Sequence, residues 1–150
     1  MSRRNNALIV LRRCEPSDLP DIQKIERSSF SHPYDMHTFS YFLTNHPEGF
    51  ILSEEGEQIC GYIIFILQQH TGWIVSLAVL PKFRRKGHGR LLLQYALDDL
   101  KKKIDLVELQ VRCTDRAAVA FYGRYGFRVY STIRRYYPDG EDALAMRIRI

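Results

Sequence analysis

At 150 residues with 45% hydrophobic content, the chain is long enough to bury roughly two thirds of its unfolded surface in one domain, residues 1–150. Its formal charge of +5 favours anionic partners (a nucleotide cofactor, ribosomal RNA, an acidic protein surface) or a basic face that is merely solvated. Three widely spaced cysteines exclude a disulfide framework and a zinc pattern and suit a reducing cytoplasm, while no apolar run approaches a signal core or a membrane span.

Ala7–Arg12 reads as a first strand. Glu15-Pro16-Ser17-Asp18 is a turn with helix-capping residues, and Leu19, Ile22, Ile25 and Glu26 open a helix with an apolar stripe. The segment from Ser28 to Tyr34 interrupts it, because Pro33 forces an extended predecessor and Phe30, His32 and Tyr34 gather there. A second helix fits Asp35–Thr44, with Met36, Phe39, Tyr41 and Phe42 at helical spacing. This aromatic group either packs in the core or lines a substrate loop. Phe50–Ser53 and Gln58–Gln69 are strands joined by Glu54-Glu55-Gly56-Glu57, and Thr71-Gly72 turns into the next strand.

That strand, Trp73 to Leu80, is broken by Pro81 and followed by a basic turn from Lys82 to Arg90. A helical pattern succeeds it, with Leu91, Leu92, Tyr95, Ala96 and Leu100 at three- and four-residue spacing. Strand, glycine turn and helix start together form an anion site. The first amides of a helix lack internal partners and the helix dipole is positive there. Gly87 and Gly89 leave room for close approach, and the neighbouring cations add full charge. The P-loop needs Lys-Ser/Thr after its last glycine, but Gly89 precedes Arg90-Leu91. The dinucleotide fingerprint needs a third glycine where Leu92 stands. A pyrophosphate held in some other way remains.

Further on, Lys101-Lys102-Lys103 places cations at a helix C-terminus. Ile104–Arg112 alternates, with Val107, Leu109 and Val111 on one face and Glu108, Gln110 and Arg112 on the other. Asp115 caps a helix Arg116–Tyr125 that Gly126 stops, and Phe127–Tyr137 and Ala143–Ile150 are strands around Pro138-Asp139-Gly140.

Arg84-Arg85-Lys86-Gly87-His88-Gly89 fits the (Gln/Arg)-x-x-Gly-x-(Gly/Ala) pattern of the GNAT acetyltransferase superfamily. The order βααβββαβαββ is that of its fold, an α/β (α+β) domain with a mixed central sheet. Ala117 to Phe127 resembles the family's tyrosine-bearing helix and the Gly-Phe start of the next strand. Tyr136-Tyr137-Pro138-Asp139-Gly140-Glu141-Asp142-Ala143 closely resembles the tail of N-terminal α-amine acetyltransferases, both the archaeal enzymes and the catalytic subunit of the eukaryotic NatA complex. Glu26 to Phe30, with Pro33-Tyr34, resembles bacterial ribosomal-protein N-acetyltransferases.

The resemblance implies acetyl-CoA as co-substrate, with no metal. It places the pantetheine arm on Leu77, Ala78 and Val79, and the phosphates on Arg84, Arg85, Lys86, Gly87, His88, Gly89 and Arg90. Asp115 stands where the family often carries Asn at the CoA arm, and a carboxylate lacks the amide's donor. Tyr122 matches the tyrosine that donates a proton or hydrogen bond to the departing sulfur. Phe30, Tyr34, Gln110, Tyr136 and Tyr137 would meet the peptide. The family's usual bases are replaced by Gln110 and Trp73, neither of which takes up a proton at neutral pH. Glu26 and Glu108 are the remaining candidates, each acting through water or standing as a surface carboxylate without a role.

The leading expectation is acetyl transfer to protein or peptide N-termini, with ribosome proximity through the basic surface, no membrane and no specific nucleic acid. A GNAT enzyme for lysine or a small amine is the alternative. A non-catalytic CoA-sensing or ribosome-binding module is the third reading.

Overall fold

A computed structural model describes residues 8–150. Its elements run β1 (Ile9–Arg13), α1 (Leu19–Ser29), α2 (Met36–Asn45), β2 (Phe50–Glu55), β3 (Gln58–Gln68), β4 (Thr71–Val79), α3 (His88–Leu100), β5 (Leu106–Arg112), α4 (Arg116–Arg124), β6 (Arg128–Ile133) and β7 (Ala143–Arg149). The order expected from the sequence is the order found. The seven-stranded sheet runs β1-β2-β3-β4-β5-β7-β6 and is mixed. β4 and β5 are parallel because α3 carries the chain back between them, whereas β1–β2, β2–β3, β5–β7 and β6–β7 are antiparallel.

Two compact units make up the chain. One comprises the residues up to Phe65 together with Ser76–Ala96, and the other Ile66–Val75 with Leu97–Ile150. In the first, Ile22 and Ile25 of α1 and Leu92 and Leu93 of α3 are fully buried, as are Ile51, Leu52, Ile63 and Ile64 of the strands. Phe39, Phe50 and Tyr62 form an aromatic triangle with centroids 5.7–6.2 Å apart. The aromatic group of the sequence thus divides: Phe39 is core, while Tyr34, Met36 and Tyr41 are exposed. In the second unit, Val107, Leu109 and Val111 face inward and Glu108, Gln110 and Arg112 are half-exposed, the alternation read from the sequence.

Several boundaries move. The expected start of β1 at Ala7 lies outside the described residues. Thr71 and Gly72 belong to β4 itself, and the turn before them is Gln69-His70, with Gln69 at φ 57. The strand expected through Tyr137 ends at Ile133, and Arg135 turns at φ 53. Tyr136 and Tyr137 are therefore loop residues rather than a strand-end pair.

Gly49 offers a direct check of packing. A Cβ there would lie 1.9 Å from the carbonyl oxygen of Phe65, so backbone must move to admit it. Gly49→Ala is expected to cost about 3 kcal/mol, the upper part of the usual overpacking range. Gly56→Ala, in open space at φ +60, should cost only about 1–2 kcal/mol for the left-handed conformation. The two urea midpoints test the difference.

Candidate active site

In the first unit, the basic turn is fastened by one of its own side chains. Pro81–Phe83 forms a single 3-10 turn after β4. Arg84 then folds back, its Nε donating to the carbonyl oxygen of Val79 at 2.9 Å and its Nη2 to Ser29 Oγ at 3.1 Å. This exposed side chain, expected among the phosphate ligands, also fastens the turn to the end of the Leu77-Ala78-Val79 strand. The Lys82 and Lys86 ammoniums sit 5.2 and 5.1 Å from the Phe83 ring centroid. Gly87 adopts φ +104, which other residues adopt only under strain, and α3 begins immediately after it.

The first bond of α3 runs from Leu91 N–H to Gly87 C=O at 3.0 Å. The amides from His88 to Arg90 come before that bond and have no acceptor within the helix. Arg85, Lys86 and Arg90 are exposed beside them. Amides, helix dipole and cations at one turn fit a diphosphate. The His88 side chain is an exception. It is buried and turned inward, so this residue offers the ligand its backbone only.

Glu26 is not the surface carboxylate that the sequence left open. It is 2% exposed. Its Oε1 accepts a short hydrogen bond from Tyr62 Oη, and its Oε2 accepts the Tyr34 N–H at 2.8 Å. Tyr62 Oη also meets Ser76 Oγ of β4 at 2.8 Å. Burial raises the Glu26 carboxyl above its ordinary value, and the Tyr62 and Tyr34 hydrogen bonds work against that rise. With both oxygens engaged, Glu26 holds the segment carrying Phe30 and Tyr34 to β3 and β4. Nothing in the residue pattern marks Tyr62 as its partner, since an apolar-looking strand hides one polar hydroxyl.

In the second unit, Tyr122 of α4 is buried and rests against Phe127 at 5.5 Å between centroids. Burial, with Asp115 adding negative potential, pushes its phenol well above the ordinary value. The hydroxyl therefore keeps its proton throughout the neutral range. Asp115 caps α4, its Oδ1 accepting the Ala118 N–H at 3.0 Å. Glu108 accepts a short bond from Tyr130, whose ring stacks 4.2 Å from the Arg147 guanidinium, so it too is engaged. Gln110 sits half-exposed on the same face of β5, opposite Ala145.

The loop between β6 and β7 is held by its own acids. Arg112 donates to Asp139 Oδ2 at 2.9 Å and Glu141 Oε2 at 2.7 Å, and its guanidinium stacks 4.0 Å from the Tyr137 ring centroid. Thr114 donates to Glu141 through its hydroxyl and its N–H. Asp142 receives the Arg135 N–H at 2.9 Å, where the chain turns. Held in this way, Tyr136 stays 47% exposed and packs edge-on against Tyr137. Arg112 was visible in the sequence on the polar face of β5; its partners, nearly thirty residues away, were not. Among the described residues no group of three or more His, Cys, Asp or Glu converges as a metal site.

The model of the acetyltransferase (GNAT) family matches residues 19–127. The chain belongs to the GNAT family. It is similar to N-alpha-acetyltransferase 30 of Homo sapiens, 33% identical over 136 residues that cover 87% of this chain and 38% of that protein. The chain thus spans about two fifths of that relative's length. It is also similar to the [ribosomal protein bS18]-alanine N-acetyltransferase of Escherichia coli, 33% identical over 141 residues, covering 91% of this chain and 94% of the relative. Among solved structures it resembles Ard1 from Thermoplasma volcanium, with a TM-score of 0.90, 25% identity, and coverage of 95% and 97% of the two chains.

Replacing Glu26 separates holding from proton transfer. Glu26→Ala takes the acceptor from the Tyr34 N–H, leaves the Tyr62 hydroxyl with Ser76 alone, and should cost about 1–3 kcal/mol for the amide bond left unmade. Glu26→Gln keeps an acceptor for Tyr34 and should stay folded. Because the folded carboxyl titrates high, wild-type stability falls as pH rises from the ordinary glutamate range through the folded value. Glu26→Gln removes that slope, which thermal melts across the range would read.

Proposed function

We propose that residues 1–150 form a GNAT domain that acetylates the α-amine of protein and peptide N-termini, in a cytoplasmic setting where chains leaving the ribosome are the natural substrates. The observation that carries this reading is the loop from Arg134 to Asp142. Its acids are consumed in fixing the loop, and what it presents is an exposed tyrosine. A tyrosine hydroxyl can bond a peptide backbone without reading the side chain, which suits acceptance of several first residues. Tyr34, held by Glu26 through its N–H, is the second such tyrosine. The names of the relatives in Homo sapiens and Escherichia coli agree with an N-terminal substrate.

Acetyl-CoA supplies a thioester whose carbonyl carbon bonds the neutral amine as the carbon–sulfur bond breaks, the amine's surplus proton passing to solvent. The turn from Arg84 to Arg90 receives its diphosphate, and the β4 backbone near Val79 polarises the acyl oxygen, a service open to any residue type. Tyr122, kept protonated by its burial, donates to the leaving sulfur. Glu26 and Glu108 act in this reading by holding tyrosines rather than as free bases. An α-amine of pKa about 7.8 is roughly one-seventh neutral at pH 7, whereas a lysine of about 10.4 is neutral roughly once in a few thousand. A site in which Gln110 and Trp73 replace the usual bases therefore tolerates the first substrate and handicaps the second.

Tyr122→Phe should lower kcat by about a hundredfold and move the KM for acetyl-CoA little. Full activity in steady-state assays would leave Tyr122 a packing residue.

Substrate class is decided by two peptides, one with a free N-terminus and no lysine, the other blocked and carrying a lysine. Mass spectrometry should show acetylation of the first only; preferential turnover of the second would favour a lysine enzyme. With the first peptide, activity should rise with pH and flatten near the amine pKa. Gln110→Glu should help only below that point, by at most about sevenfold at pH 7, the limit set by the neutral fraction.

A further inference from the structure

We propose that His88 is a positioning residue for acetyl-CoA, acting from behind the phosphate turn through a buried Ser53–His88–Glu55 chain instead of touching the phosphates. This rests on reading that turn as the diphosphate cradle. His88 is the first residue of α3 and is 1% exposed. Its Nδ1 lies 2.9 Å from Ser53 Oγ and its Nε2 lies 2.8 Å from Glu55 Oε1. Ser53 is fully buried, and the Glu55 side chain is 12% exposed. Because a carboxylate only accepts, Nε2 carries the proton on that side, while the serine hydroxyl answers the other nitrogen. The Phe83 ring meets the imidazole edge-on at 6.0 Å. Two hydrogen bonds and one ring contact leave it a single orientation.

An aliphatic residue would fill this space without burying three polar side chains, each of which is costly to take out of water. What the polar chain adds is direction. β2 carries an irregularity between Ser53 and Glu54, a feature that re-aims side chains, and residues on either side of it reach the imidazole. The first residue of α3 is thereby pinned to β2, while Arg84 pins the other end of the turn to Val79. The amides from His88 to Arg90 are held in place in advance, so a diphosphate need not order them on arrival. Glu55, two bonds removed from any ligand, belongs to the same device.

The test compares two acetyl donors. S-acetylpantetheine carries the thioester of acetyl-CoA and lacks its phosphates. His88→Leu should raise the KM for acetyl-CoA, and the Kd of CoA by calorimetry, roughly tenfold. It should leave kcat at saturation within about twofold and kcat/KM for S-acetylpantetheine unchanged. Glu55→Gln should shift the CoA Kd the same way by a smaller factor, and it carries the test if His88→Leu does not fold. Equal losses with both donors, or an unchanged CoA Kd in folded variants, would overturn the proposal. A wild-type enzyme indifferent to the phosphates would instead sink the cradle reading, and this proposal with it.

Discussion

A carboxylate is among the costliest side chains to bury, and this protein buries one at the end of its first helix. Glu26 is tolerated because Tyr62 and the Tyr34 amide occupy its two oxygens. Those bonds decide where α1 ends relative to β3, how the chain leaves the helix, and where Tyr34 stands. Through Tyr62 and Ser76 they also reach β4, the strand that leads into the basic turn. One buried acid thus sets the geometry of three elements in the first unit.

The second unit uses charge for the same end in a wetter place. Arg112 gathers Asp139, Glu141 and the face of Tyr137, and the loop has no helix or strand of its own to give it shape. The acids of the Tyr-Tyr-Pro-Asp-Gly-Glu-Asp-Ala stretch are fasteners, and the aromatic pair is what they position. Thr114 and then Arg112 hold Glu141 below its ordinary value, so the fastening persists to the acid side of neutrality.

The order of elements was legible because each rests on local information: alternation in β5, helical spacing in α3, Asp115 as a cap. The basic turn before α3 was legible for a related reason, since glycines and cations lie within nine consecutive residues. What stayed hidden depends on distant partners. Glu26 and Tyr62 are 36 positions apart, and no pattern around either marks a buried acid. His88 read as one more phosphate-holding residue of a basic turn because Ser53 and Glu55 lie on a different strand. The strand expected through Tyr137 overran because Arg134 to Tyr137 continue its composition; only the φ of Arg135 and its bond to Asp142 end it.

β6 ends the sheet beside β7 and is exposed along nearly its whole length, with Val129 and Tyr130 on its surface. Such a border strand invites other chains to add themselves to it. Here the ladder with β7 slips between Val129 and Ser131, bending the rim, and Arg128 opens the strand with a charge. A stranger's backbone would find few donors and acceptors in register. The open border of the sheet is thereby kept from recruiting other chains.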